Sequence, residues 1–203
     1  MQKDLTQGSI TKTLLLFAMP MIAGDLLQQF YNIADTLIVG RFLGAEALAA
    51  VGSSYTLMTF LTSILLGLSM GSGAVFSIHY GEKNEEKLKE SMAAAFWLIF
   101  AVALALNIFV FLCIHPIMSF LQVPEEIYDM MQEYLWIVFW GIFASFLYNY
   151  FASLLRAVGN SVVPLVFLAI SAVLNIILDL WFVLGLKWGV AGAAVATVFS
   201  QYV

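Results

Sequence analysis

Residues 14–39 read LLLFAMPMIAGDLLQQFYNIADTLIV, an apolar run interrupted by a few polar side chains. The run exceeds the ~20 residues that a helix needs to cross a bilayer. The composition points the same way, since 63% of the 203 residues are hydrophobic and only 10% are charged, against about a quarter charged in an average soluble protein. We therefore expect an all-α integral membrane protein whose main partner is the lipid bilayer. A soluble enzyme, a nucleic-acid binder and a disordered chain are excluded.

Polar breaks divide the chain into six apolar segments, which predicts a bundle of six transmembrane helices over residues 14–203. The segments run Leu14–Val39, Ala47–Tyr80, Leu88–Ile114, Ile127–Leu155, Val162–Leu184 and Val190–Val203. As a helix, the sixth segment would rise only ~21 Å at about 1.5 Å per residue, against a hydrocarbon core of about 30 Å. We therefore expect the last helix to be truncated and the chain to be a fragment of a longer protein.

The basic residues are distributed unevenly between the two ends of the predicted bundle. Six of the eight lie before the first segment, in or directly beside the loop after the second, or in the loop after the fourth: Lys3, Lys12, Lys83, Lys87, Lys89 and Arg156. Arg41 and Lys187 lie at the other end. Because basic loops stay on the cytoplasmic side, residues 1–13 are predicted to form a cytoplasmic N-terminus. Arg156 is interpreted as an interfacial anchor whose long side chain reaches the headgroups.

The first segment carries a stripe of polar side chains along one helical face. Its members recur at the three- to four-residue period of an α-helix and are Asp25, Gln28, Gln29, Asn32, Asp35 and Thr36. An ionisable group inside a membrane costs at least ~2.5–3.5 kcal/mol, so each one suggests a function. We expect the four that precede Asp35 to line a substrate cavity, together with Asn149 from a second polar stripe in the fourth segment. The simpler alternative is that the stripe only hydrogen-bonds neighbouring helices.

Polar groups from four segments also lie in one layer near the end of the bundle opposite the basic loops. Counting from that end places them roughly 8–11 Å deep, and they are Asp35, Tyr134, Asn175, Asp179 and Thr197. They can meet only if the first, fourth, fifth and sixth helices adjoin. Two carboxylates close together at low dielectric cannot both ionise at low cost, so the cluster is expected to bind and release a proton.

A sodium ion is the other candidate for this cluster. Two carboxylates with an amide and a hydroxyl oxygen suit a hard cation, and the oxygens would come from Asp35, Asn175, Asp179 and Thr197. The residue types leave the choice between H⁺ and Na⁺ open. A resident cofactor is not expected.

Pro20 lies about two turns inside the first predicted helix. A proline inside a helix removes one backbone hydrogen bond and clashes with the preceding turn. The sequence therefore predicts a kink in the first helix at this position.

Several of these motifs together resemble the multidrug and toxic compound extrusion (MATE) transporters, within the wider group of multidrug, oligosaccharidyl-lipid and polysaccharide exporters. The resemblance covers nearly the whole chain. Its motifs are Phe17-Ala-Met-Pro20, Asp35-Thr36 with Gly40 and Gly44-Ala45, Tyr80-Gly81-Glu82, Leu155-Arg156-Ala157-Val158-Gly159-Asn160 and Asn175-Ile-Ile-Leu-Asp179. The last two are the most specific.

The resemblance implies twelve helices in two six-helix lobes, with this chain as the N-terminal lobe of a multi-pass protein in the bacterial inner (plasma) membrane. It implies a non-enzymatic antiporter that exchanges H⁺ or Na⁺ for organic cations or other lipophilic compounds. The positions that match Asp35, Tyr134, Asn175, Asp179 and Thr197 form the ion-coupling cluster in such proteins. The kink at the position of Pro20 lets the first helix bend with the ion state.

One departure from the resemblance is Asp25, where such transporters usually carry an uncharged residue. An extra carboxylate in the cavity would favour cationic substrates.

Two other functions are alternatives to the antiporter. A lipid-linked oligosaccharide flippase would need several basic residues for the pyrophosphate, whereas the chain has eight in all and none in the middle of a segment. An intramembrane aspartyl protease would need Tyr-Asp and Gly-x-Gly-Asp motifs. Here Asp35 follows an alanine and Asp179 follows a leucine, so the protease is the least favoured of the three.

Overall fold

The computed structural model describes residues 10–203, which form seven α-helices and one π-helical turn. The α-helices are α1 (Ile10–Phe42), α2 (Ala45–Gly81), α3 (Glu85–Phe120), α4 (Glu125–Val138), α5 (Gly141–Ala157), α6 (Val162–Asp179) and α7 (Gly189–Tyr202). The π-helical turn, Leu180–Gly185, follows α6 directly. Residues 1–9, most of the predicted cytoplasmic N-terminus, lie outside the described residues.

The first three helices match the predicted segments and extend them by several residues at the ends. The short polar break between α2 and α3 is enough to end one helix and begin the next, because its residues cap α3. Asn84 caps α3, its side chain accepting a hydrogen bond from the Lys87 amide at 3.1 Å. Glu85 and Glu86 lie in the first turn, where a negative charge is stabilised by the helix dipole.

The fourth segment was predicted to be one helix, and this prediction is wrong. It forms two helices, α4 and α5, which are bent by 45° at their junction. Two backbone carbonyls at the junction accept hydrogen bonds from distant side chains. Asn107 of α3 donates to the Phe139 carbonyl at 2.8 Å, and the Tyr202 hydroxyl of α7 donates to the Trp140 carbonyl at 2.7 Å. Such side-chain donors let a membrane helix break without leaving backbone groups unpaired.

The fifth predicted segment also changes character before its end. After Asp179 the backbone hydrogen bonds join residues five apart, the pattern of a π-helix. For example, the Leu186 amide donates to the Trp181 carbonyl at 2.9 Å. The chain then reverses through Gly189, whose φ of 61° lies in the left-handed region that favours glycine. Gly192 allows α7 to approach closely, since a Cβ there would lie 3.2 Å from the Phe182 backbone.

The interior of the bundle is apolar and centred on α2, which packs against α1, α3, α4 and α5. Leu65, Ile99, Ile142 and Phe146 are among its fully buried side chains. Large apolar side chains also cover the outside, as on α3, where Leu112 is 77% exposed. Among residues 10–203, four helices are long and apolar enough to cross a membrane, and the bent α4–α5 pair makes a fifth if it counts as one span.

Four helices surround the predicted polar layer. α1 packs along α6, α6 along α7, and α7 along α4. The first, fourth, fifth and sixth predicted segments therefore adjoin, which is the condition that the polar cluster requires.

Candidate functional site

The five predicted cluster residues are brought together where these four helices meet. Asn175 and Asp179 are fully buried, and Tyr134 and Thr197 are only 5% and 7% exposed. Asn175 Nδ2 donates to Thr197 Oγ1 at 3.5 Å, which joins α6 to α7. The carboxyl groups of Asp35 and Asp179 lie within hydrogen-bonding reach of each other if one holds a proton.

Local sequence explains why α6 and α7 can hold these groups so closely. Asn175 and Asp179 are four residues apart and so share one face of α6. α7 is rich in small residues, of which Ala193, Ala194 and Ala196 are all fully buried. Close packing of small side chains brings the backbones of membrane helices together. A second bond between the helices, from Ser171 Oγ to the Ser200 carbonyl at 2.6 Å, fixes their register.

The cluster is rich in acceptors and poor in donors. Four buried oxygens receive no hydrogen bond from the described residues: Asp35 Oδ1, Asn175 Oδ1, Asp179 Oδ1 and Asp179 Oδ2. A buried polar atom without a partner costs about 1–3 kcal/mol, and more when it carries charge. A proton between the carboxylates, or a small cation among the oxygens, would satisfy these atoms.

Among residues 10–203 there is no group of three or more His, Cys, Asp or Glu side chains that could hold a metal ion. The choice between a proton and a sodium ion at the cluster stays a prediction.

Tyr31 belongs to the cluster and was missed in the sequence. It lies one turn before Asp35 on α1, and its hydroxyl is near Asp35, Thr197 and Asp179. Its position four residues from Asp35 was the available signal. An aromatic residue in an apolar run usually serves packing, so its type alone did not indicate a role, although the tyrosine hydroxyl adds a hydrogen-bond donor to the cluster.

A cavity of about 930 Å³ lies beside the cluster and extends along α1. Its wall includes all five residues predicted to line a substrate cavity: Asp25, Gln28, Gln29, Asn32 and Asn149. Some of the wall is hydrogen-bonded within the protein, as where Asn32 Nδ2 donates to the Tyr55 hydroxyl at 3.0 Å. That these side chains contact a substrate stays a prediction.

Asp35 is the residue that connects the two features. It is half-buried, lies on the cavity wall and also faces Asp179. Tyr31, Tyr134 and Thr197 likewise reach the wall. Asn175 and Asp179 lie behind them, fully buried. A change in the charge of Asp35 would therefore alter the electrostatic potential in both the cluster and the cavity.

Pro20 lies inside α1, which continues without a break through Ile10–Phe42. It lies on the wall of the same cavity. One turn away, the Phe17 carbonyl accepts a hydrogen bond from Ser161 Oγ at 3.0 Å. The predicted bending of α1 at this position stays a prediction.

The chain matches a known protein family over most of its length. The MatE family model matches residues 20–181. The chain is 34% identical over 198 residues to a probable multidrug resistance protein, YpnP, of Bacillus subtilis, covering 98% of this chain and 44% of the relative. It is 27% identical to the probable multidrug resistance protein NorM of Thermotoga maritima, covering 96% of this chain and 42% of the relative.

Solved structures give the same result. The chain superposes with a TM-score of 0.91 and 26% identity on a structure described as a MATE in complex with MaD5, covering 98% of this chain and 45% of that one. A multidrug resistance MATE family transporter in an outward-facing conformation matches with a TM-score of 0.89 and 26% identity, over 96% and 43% of the two chains. The chain thus spans less than half the length of each of these relatives.

Proposed function

The chain belongs to the MatE family of multi-pass membrane transporters, which are not enzymes, and from this premise we propose that it acts as the N-terminal lobe of a secondary efflux antiporter. The antiporter would exchange H⁺ or Na⁺ for organic cations or other lipophilic compounds. Because the chain spans about 44% of the length of YpnP, we propose that a C-terminal lobe completes the transporter. The bacterial inner membrane, with a cytoplasmic N-terminus, is the proposed location.

The observation that carries this proposal is the acceptor-rich carboxylate cluster beside the cavity. Its four unpartnered oxygens favour a state with a bound proton or cation. Asp35 faces both spaces, so an ion bound at the cluster and a cationic substrate in the cavity would compete for one negative charge. Such competition is the elementary requirement of an antiporter, because each ligand must favour a different state of the protein.

The coupling ion would be held by oxygens that are already assembled. For Na⁺ the ligands would be Asp35, Asn175, Asp179 and Thr197; for H⁺ the carboxylates alone would suffice. The family and structural matches above give no support to the two alternative functions, a lipid-linked oligosaccharide flippase and an aspartyl protease.

The test is efflux of a fluorescent organic cation by the full-length protein in inverted membrane vesicles, driven in turn by a pH gradient and by a Na⁺ gradient. Asp35→Asn keeps the shape of the side chain and removes its charge, so we expect ion-driven efflux to fall at least tenfold (about 1.4 kcal/mol of lost coupling). Asp129→Asn, a matched change at an exposed position of α4, should leave efflux unchanged. An Asp35→Asn variant that expels substrate at the wild-type rate would overturn the proposal.

A further inference from the structure

The chain contains two stretches with the same spacing of prolines, aspartates and glycines. Pro20 precedes Asp35 by fifteen residues, and Pro164 precedes Asp179 by fifteen. A pair of glycines four residues apart follows each aspartate, at 40 and 44 in the first stretch and at 185 and 189 in the second. The first glycine comes five residues after Asp35 but six residues after Asp179. The second stretch is therefore longer by one residue, which lies between its aspartate and its glycines.

The structure supports an internal repeat in these two stretches. Each second glycine leads into the next helix with a positive φ, 94° at Gly44 and 61° at Gly189. α1 packs along α6, and equivalent positions meet there, since a Cβ on Gly24 would lie 3.7 Å from Leu168 Cδ2. Gly24 and Leu168 each come four residues after the proline of their stretch. Equivalent residues thus face each other across the two helices, and internal repeats are common in membrane transporters.

The extra residue of the second stretch lies in the π-helical turn. In the first stretch α1 remains α-helical beyond Asp35, and the Leu43 amide donates to the Val39 carbonyl, four residues back, at 2.9 Å. In the second stretch the turn Leu180–Gly185 begins directly after Asp179. A hydrogen bond of a π-helix spans one residue more than a hydrogen bond of an α-helix. The turn therefore takes up the extra residue between Asp179 and the glycines.

The length of the connection between α6 and α7 determines which side chains of the two helices meet. One hydrogen bond between the helices joins Asn175 Nδ2 to Thr197 Oγ1 at 3.5 Å. The start of α7 is held against the turn, because the Trp188 amide donates to the Phe182 carbonyl at 3.0 Å. A change in the length of the connection would therefore move α7 along α6. With one residue fewer, Val198 would reach the position of Thr197, and Asn175 would lose its hydroxyl partner.

We propose that the π-helical turn Leu180–Gly185 is a positioning element of the ion-coupling cluster, because its extra residue sets the register that places Thr197 beside Asn175. Single π-helical turns within helices are frequent at functional sites. The turn contacts no coupling ion itself and acts through the hydroxyl of Thr197, one of the oxygens proposed to hold Na⁺. This inference rests on the proposed function, in which the cluster binds the coupling ion.

The test compares deletion of Leu184 with Leu184→Ala in the full-length protein in lipid nanodiscs. Both variants lose the same side chain, which is 40% exposed, but only the deletion removes the extra residue. Equilibrium binding of a fluorescent organic cation is measured over a range of pH and of Na⁺ concentration, without any ion gradient. The deletion should change the half-saturating concentration of the ion to which the wild type responds by about two- to tenfold, the effect of one hydrogen bond. Leu184→Ala should match the wild type.

A rescue variant separates the register from a general loss of packing. Val198→Thr, added to the deletion, returns a hydroxyl to the position that Thr197 has left, so it should recover part of the ion dependence. An ion dependence that the deletion leaves unchanged, or that Val198→Thr does not recover, would overturn the proposal.

The register is also measured without any coupling ion, by disulfide cross-linking in a background with Cys113→Ala. Ser171 Oγ contacts the Ser200 carbonyl at 2.6 Å, so Ser171→Cys should cross-link to Ser200→Cys in preference to Gln201→Cys. In the deletion this preference should reverse, and a preserved preference would contradict the proposal. A wild type whose affinity ignores both ions would overturn the proposed function and, with it, the role of the turn. The cross-links distinguish that case from a wrong register.

A compensated variant decides the question if the deletion alone does not fold, as judged by thermal unfolding. One alanine inserted between Leu186 and Lys187 restores the number of residues in the connection of the deletion variant. This variant should fold and bind the cation with the ion dependence of the wild type. A compensated variant that stays unfolded, or that folds without this ion dependence, would show that the residue count does not set the cluster.

Discussion

Among single residues, the cluster is distinguished both by its two carboxylates and by the buried oxygens that receive no hydrogen bond. The oxygens of Asp179 are fully buried and receive no donor from the described residues. Sequence patterning predicted five members of this cluster, because carboxylates and amides stand out in apolar segments. It missed Tyr31, since a tyrosine in such a segment does not stand out and its hydroxyl is placed only by the fold.

Tyr31 supplies the first prediction at this scale. Tyr31→Phe removes the hydroxyl near Asp35 and Thr197 and keeps the ring. A hydrogen bond of this kind contributes about 0.5–1.5 kcal/mol, so the half-saturating concentration of the coupling ion in efflux assays should change by about two- to tenfold. Tyr80→Phe, at an exposed position at the end of α2, is the control. An unchanged ion dependence in Tyr31→Phe would remove Tyr31 from the cluster.

At the scale of elements, hydropathy located the membrane-crossing segments but not their internal breaks. Residues 134–148 contain no charged residue and no proline, so Gly141 is the one local feature that marks the α4–α5 junction. The groups that permit the break come from far along the chain, Asn107 on α3 and Tyr202 on α7. The π-helical turn after Asp179 was unpredictable for the same reason, because it depends on how α7 packs against it.

The junction is therefore expected to depend on Asn107. Asn107→Ala removes the shorter of the two hydrogen bonds to the Phe139 carbonyl, which keeps the 3.2 Å bond from the Ile142 amide, so the loss should cost about 0.5–1.5 kcal/mol of unfolding free energy. Thermal unfolding of the purified protein in detergent measures the loss. Tyr202→Phe removes the other donor, but Tyr202 is 52% exposed, so the loss should be smaller. If Asn107→Ala is as stable as the wild type, the side chain does not hold the junction.

At the scale of the whole molecule, the arrangement is a membrane bundle whose polar interior lies along one cavity. The sequence could state that the cluster needs four particular helices to adjoin. It could not show that they do, since helix adjacency is set by packing between segments distant in the chain. The structure supplies that adjacency through α1, α4, α6 and α7, and the family match supplies the transport class.

If ion and substrate compete for the negative charge of the Asp35–Asp179 cluster, as proposed, the competition is measurable at equilibrium. The affinity of the full-length protein for a fluorescent organic cation is measured over a series of pH values and, separately, of Na⁺ concentrations. We expect the affinity to fall as the coupling ion increases, with a slope near one ion per substrate, and to become independent of that ion in Asp35→Asn. An affinity that is insensitive to both ions in the wild type, or an unchanged dependence in Asp35→Asn, would contradict the claim.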